Sequence, residues 1–135
     1  PANAISTFGG NPLATTAALA NLDYLLEHDL RTNTRKVGQQ LRADLDGLAD
    51  EVDEIVEVRG KGLMLGIEFA DSGDLAPRPD LSLGVMEAAK ARGLLIGRGG
   101  LHGNVIRMAP ALSVTSEEAT EGYRLFSAAV RDTVG

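Results

Sequence analysis

EIVEVRGKGLMLGIEFA, residues 54–70, decides the fold. It consists of two short apolar runs, rich in Val, Ile, Leu and Phe, parted by Gly60, Lys61 and Gly62. Runs of this length with glycine between them read as two antiparallel strands, and the glycines are expected to make the connection. The two positive charges beside them, in VRGKG, read as a solvated β-turn.

Working upstream, Val37, Leu41, Leu45 and Leu48 recur at helical spacing from Thr32 onwards, with Arg, Gln and Asp between them. That pattern predicts an amphipathic surface helix. Before it, Asn11 and Pro12 form a helix start: Asn caps an orphan N–H and proline suits the first helical position. LATTAALANLDYLLEH, residues 13–28, then predicts a long, largely buried helix ending near His28.

Downstream, DSGDLAPRPD is a polar loop, and LSLGVMEAAKARG predicts a helix over 81–92 with Gly93 as its stop. LLIG and NVIRMA predict short strands on either side of RGGLHG, which is expected to be a mobile loop. The glycines there follow a strand but precede another strand, so the phosphate-loop geometry is missing. Thr115 with Glu118 three residues on is a capping box, opening a helix through Tyr123, Phe126 and Val130. The expected fold is α+β: one antiparallel sheet covered by helices on one face.

The 135 residues are enough for one domain with a real core, which must be aliphatic because aromatic residues make up 4%. A net charge of −6 argues against nucleic acid, whose phosphates need a basic face. The absence of cysteine excludes disulfides and thiolate metal sites and fits a reducing compartment; cytoplasmic localisation is expected. No run has the length of a membrane span, so no membrane partner is expected. The chain starts at Pro1 without a recognisable opening element and reads as the tail of a longer protein.

Candidate chemistry is sparse. Lys36, Lys61 and Lys90 lie in charged or turn contexts that depress no pKa, and His28 and His102 have no companions for a metal site. Ser6 lacks the pattern of a nucleophile elbow. Two stretches stand out. STFGGNP, residues 6–12, joins hydroxyls, glycines and a helix start, which suits either an anion site or a tight turn with an N-cap. In NVIRMAPAL, Arg107 interrupts an apolar run, which calls either for an internal carboxylate or for a ligand carboxylate held by two parallel hydrogen bonds.

Three segments in order, STFGGNPLATTAALANLDYLLE, VEVRGKGLMLGIEF and VIRMAPALSVTSEEATEGYRLFSAAV, resemble the C-terminal part of the class-III pyridoxal-phosphate aminotransferases. That family includes the ornithine, acetylornithine and 4-aminobutyrate transaminases. The resemblance implies the C-terminal small domain of a fold-type I transferase over 31–135. Residues 1–30 become an interface loop and a long helix leading from a large domain. It also implies a homodimer in which Thr7 reaches the phosphate of pyridoxal 5'-phosphate bound mainly by the partner subunit, with Ser6 and Phe8 beside it in the cofactor-binding loop. Arg107 becomes the residue that binds the carboxylate of an amino donor or keto acid. Ala111 stands where many relatives have a second proline, a change expected to affect loop rigidity more than chemistry.

The resemblance places no catalytic residue here. The family's cofactor lysine, the aspartate facing the pyridine nitrogen and the ring-stacking aromatic lie upstream of the threonine motif, so residues 1–135 alone are expected to be inactive. The alternatives are a stand-alone structural or interaction domain of the same fold, and part of an enzyme resembling glutamate-1-semialdehyde aminomutase.

Overall fold

The structure, a computed structural model, describes residues 6–135; residues 1–5, where the expected interface loop begins, lie outside them. The chain divides into two compact units at the step from Arg31 to Thr32.

The first unit carries helix α1, Pro12–Glu27, started and stopped as the sequence predicts. The Asn11 side chain accepts the Ala14 N–H at 3.0 Å, and Pro12 fills the first helical position. The chain turns away after His28 through Asp29, whose φ of 44° lies in the left-handed region that Asp tolerates. The expected burial is not found: α1 has no buried residue, and Leu13 is 82% exposed. Its Leu and Ala residues are spread around the helix instead of gathered on one stripe. Such a helix needs cover on more than one side, and among the described residues this unit holds no second layer.

In the second unit, Thr32–Gly135, the two apolar runs of residues 54–70 form β1, Ile55–Lys61, and β2, Met64–Phe69. They pair antiparallel with a register shift between Ile55 and Glu57. Only Gly62 and Leu63 make the turn; Gly60 and Lys61 are the last residues of β1, paired with Leu65 and Met64. The two-residue connection has a glycine at φ 58° in its first place, which suits the twist of a hairpin.

Helix α2, Leu30–Glu51, enters this unit from Thr32 and buries Val37, Leu41, Leu45 and Leu48, the predicted stripe. It also buries Gly38. A Cβ there would stand 2.5 Å from the carbonyl carbon of Gly62, so the hairpin tip and the helix meet backbone to backbone. Helix α3, Pro79–Ala91, begins two residues earlier than predicted because Pro79 is itself a good first helical residue. Beyond it Gly93 adopts φ 83°.

Strand β3 is Gly97–Gly99 and β4 is Val105–Met108. Leu94, Leu95 and Ile96, predicted as part of a strand, lie outside the sheet; the pairing is made by Gly97, Arg98 and Gly99, which follow. Register explains the shift: β4 offers partners at Val105, Ile106 and Arg107, which fall opposite Gly99, Arg98 and Gly97. Helix α4, Ser116–Val134, opens with the predicted capping box, made in both directions between Thr115 and Glu118.

Among the described residues the strands form one antiparallel sheet in the order β1-β2-β4-β3. Leu65, Ile67, Phe69, Ile106 and Met108 point from one face into a core shared with Leu45 and Leu48 of α2, Val85 of α3 and Phe126 and Val130 of α4. Each fully buried side chain of this size contributes about 1.5 to 3 kcal/mol. Helices cover one face, as expected, and the other stays open.

Candidate functional site

The loop before α1 shows why two glycines stand there. Ser6 Oγ accepts the Gly9 N–H at 2.9 Å, and a Cβ on Gly9 would come within 2.8 Å of that oxygen. Gly10 has a φ of 81°, which only glycine adopts freely. The Asn11 amide donates back to the Phe8 carbonyl while its oxygen caps the helix. A tight turn with an N-cap is therefore present. It leaves Thr7 exposed with no side-chain hydrogen bond among the described residues, and Phe8 80% exposed.

The open face of the sheet is the second candidate site. Pairing lines up Arg59 of β1, Gly66 of β2, Arg107 of β4 and Gly97 of β3 in one row across all four strands. Two strand spacings separate the arginines, roughly 10 Å along the row. With no side chain at Gly66, a trough of about 490 Å³ opens between them, lined also by Met64, Gly99 and Val105.

The two arginines differ in electrostatic state. The Arg59 guanidinium is held by Glu57 and Glu68. The hydrogen bond from Arg59 is the main reason the Glu68 carboxyl sits below the ordinary carboxylate range, against the effect of its burial and helped by Asn104. Arg107 is exposed and has no ion-pair partner among the described residues. The internal carboxylate offered by one reading of the sequence is not beside it. Its guanidinium lies over Gly97, where a Cβ would be 3.3 Å from Nη2. On the helix side, a smaller cleft of about 280 Å³ also reaches Arg107, between Leu41, Met108, Pro110 and Tyr123. Burial raises the Tyr123 hydroxyl's pKa there.

Two groups that shape this face escape a reading by motif. Asn104 is buried and donates to the Phe69 carbonyl at 2.9 Å and to Glu68 at 3.2 Å, fixing the start of β4 against the end of β2. Ser82 of α3 donates to the Gly103 carbonyl at 2.6 Å. The glycine-rich loop, expected to be mobile, is thus pinned at its C-terminal shoulder, with Leu101 and His102 exposed at its tip. The alternation Glu57, Arg59 on one strand and Glu68 on the next was the available signal for the ion pairs, since all three fall on one face.

The three lysines are exposed, and Lys90 pairs with Glu87 on its own helix. His28 stacks on Tyr24 with ring centroids 3.9 Å apart. No group of His, Asp or Glu among the described residues is placed to hold a metal ion. None of the described helices is long and apolar enough to cross a membrane.

The model of the aminotransferase class-III family matches residues 1–130. This chain belongs to the class-III aminotransferases. It is 41% identical over 115 residues to alanine–glyoxylate aminotransferase 2 homolog 2, mitochondrial, of Arabidopsis thaliana, covering 84% of this chain and 24% of that protein. It is 36% identical over 126 residues to 4-aminobutyrate aminotransferase of Mycobacterium leprae, covering 93% of this chain and 28% of that protein. Among solved structures, a phospholyase from Arthrobacter in complex with phosphoethanolamine superposes with a TM-score of 0.86 at 33% identity, covering 95% of this chain and 31% of that one. The chain thus spans about a quarter to a third of the length of these relatives. The α+β architecture expected from the sequence is the one it shares with them, and the similarity to aminotransferases disfavours a stand-alone non-catalytic domain.

Proposed function

We propose that this chain forms the C-terminal, substrate-orienting part of a pyridoxal-phosphate-dependent aminotransferase of fold-type I. Such an enzyme moves an amino group from an amino acid or ω-amine to a keto acid. The observation that carries this reading is Arg107: a guanidinium on the open face of a sheet, without a carboxylate partner among the described residues, in a chain of this family. Residues 1–135 alone are inactive, because none of the three lysines lies in an apolar setting that would activate it.

The loop before α1 fits a phosphate. Thr7 offers an exposed hydroxyl, and Gly9 and Gly10 bring no side chain between backbone and ligand. Thr7 would donate to the cofactor phosphate, with Ser6 and Phe8 flanking it. The cofactor, when bound, supplies the electron sink for chemistry at the amino-bearing carbon. Arg107 meets the substrate carboxylate with two parallel N–H bonds and so holds that carbon in one orientation. Positioning of this kind is worth several kcal/mol, in line with the effective molarities of well-oriented reactions. The enzyme works as a homodimer, with Thr7 acting at the partner's cofactor. The exposed Leu13, Leu19, Leu22 and Leu26 of α1 support a surface that other parts of the assembly cover. A cytoplasmic location is proposed with it; the lack of cysteine fits a reducing compartment.

In the complete enzyme, Arg107→Lys keeps the charge and loses the two-pronged geometry. KM for both amino donor and keto acid is expected to rise about tenfold or more. Unchanged kinetics toward carboxylate substrates, with only stability reduced, would contradict the assignment.

A further inference from the structure

We infer that Gly97 is the positioning residue for Arg107: its missing side chain gives the guanidinium a bare patch of β3 to lie against and thereby sets how a carboxylate is met. The inference rests on the reading of Arg107 given above.

Gly97 pairs directly with Arg107 in the β3–β4 ladder, so both face the open side of the sheet. A Cβ at Gly97 would stand 3.3 Å from Nη2, 3.5 Å from Nε and 3.7 Å from Cζ of Arg107. The order of these distances turns the Nη2–Nε edge of the guanidinium toward the glycine, with Cζ farther off. Backbone conformation does not explain the glycine, because Gly97 is not among the residues with positive φ.

Two neighbouring glycines sharpen the point. Gly99, two residues along the same strand and on the same face, has nothing within 4 Å of its Cβ position. Gly66, on the other side of Arg107, would meet Val105 and Arg59 instead. Of the three, Gly97 alone has its vacant place taken by the Arg107 head group. Since no ion pair among the described residues anchors that head group, the surface under it determines its plane. A methyl at 97 asks the guanidinium to shift by a few tenths of an ångström. An isopropyl group fills the space, tilts the plane, and costs one of the two parallel bonds to a carboxylate.

The test uses the complete enzyme with glutarate, an unreactive dicarboxylate, titrated calorimetrically into Gly97→Ala, Gly97→Val, Gly47→Ala and Arg107→Ala. KM and kcat for one carboxylate donor are measured alongside. Gly97→Ala is expected to weaken glutarate about threefold and Gly97→Val about tenfold, with KM rising in step and kcat changing less, as a small misplacement of a positioning group predicts. Gly47→Ala, on α2 and away from the open face, meets nothing within 4 Å and should stay within about twofold of the parent. Parent-like glutarate binding by both Gly97 variants, with Arg107→Ala still losing it, would overturn the role of Gly97 while leaving Arg107 as the clamp. Parent-like binding by Arg107→Ala would overturn both. If Gly97→Val fails to fold, the comparison of Gly97→Ala with the parent decides the question in the same way.

Discussion

Helices α1 and α4 are alike in length, at 16 and 19 residues, and each begins under a side-chain cap, from Asn11 and from Thr115. They differ completely in burial. Helix α4 buries Ala119, Phe126, Ser127, Ala129 and Val130, whereas α1 buries nothing. Local chemistry therefore sets where a helix starts and stops, and the surface it is given to pack on sets how much of it is buried. For α4 that surface is the sheet and its neighbouring helices; for α1 it is not among the described residues of its own unit.

The largest expected effect breaks or upholds this contrast directly. Leu48→Ala empties a site with no solvent exposure and should cost about 3 kcal/mol or more in denaturant unfolding of the chain. Leu19→Ala on α1 removes a side chain that is 58% exposed and should cost less than about 0.5 kcal/mol. Similar costs for the two would mean that α1 is packed after all. A smaller effect separates glycines within α2. Gly38→Ala drives a methyl into the backbone at Gly62 and should destabilise by about 2 kcal/mol. Gly47→Ala meets nothing within 4 Å and should stabilise by roughly 0.5 to 1 kcal/mol through helix propensity. The two shifts in unfolding midpoint should thus have opposite signs.

The smallest effect concerns charge on the open face. Glu68 has its folded-state pKa lowered, mainly by the hydrogen bond from Arg59, so its contribution is complete above the ordinary carboxylate range and is lost as pH falls through the lowered value. The pair is partly exposed, which limits the effect to below about 1 kcal/mol. Unfolding midpoints followed from neutral to acid pH should fall less steeply for Glu68→Gln than for the parent.

What was legible in the sequence follows the same division between local and long-range causes. The α2 stripe, the hairpin, the caps at Asn11 and Thr115, and the stop at Gly93 all depend on residues close in sequence. The burial of α1 was misread because its apolar composition reports a need for cover without saying where the cover is. β3 was displaced by three residues because register is decided by β4, and Gly97 to Gly99 pair there in spite of poor strand propensity. Asn104, Ser82 and the Gly38–Gly62 approach join residues between 21 and 36 positions apart in the two hydrogen-bonded cases, which no spacing rule connects. Arg107 was legible as an anomaly, but its lack of a carboxylate partner needed the register of three strands.

The proposed enzyme has a division of labour: the loop before α1 would serve the cofactor phosphate, and the open sheet face would serve the substrate carboxylate. Cofactor affinity in the complete enzyme tests it most directly, measured by titrating pyridoxal 5'-phosphate into Thr7→Val and Arg107→Lys. Thr7→Val should lose about 1.5 to 3 kcal/mol of cofactor binding, the range for a hydrogen bond to a charged group, while Arg107→Lys binds the cofactor like the parent. Parent-like affinity in Thr7→Val, or an equal loss in both variants, would contradict it.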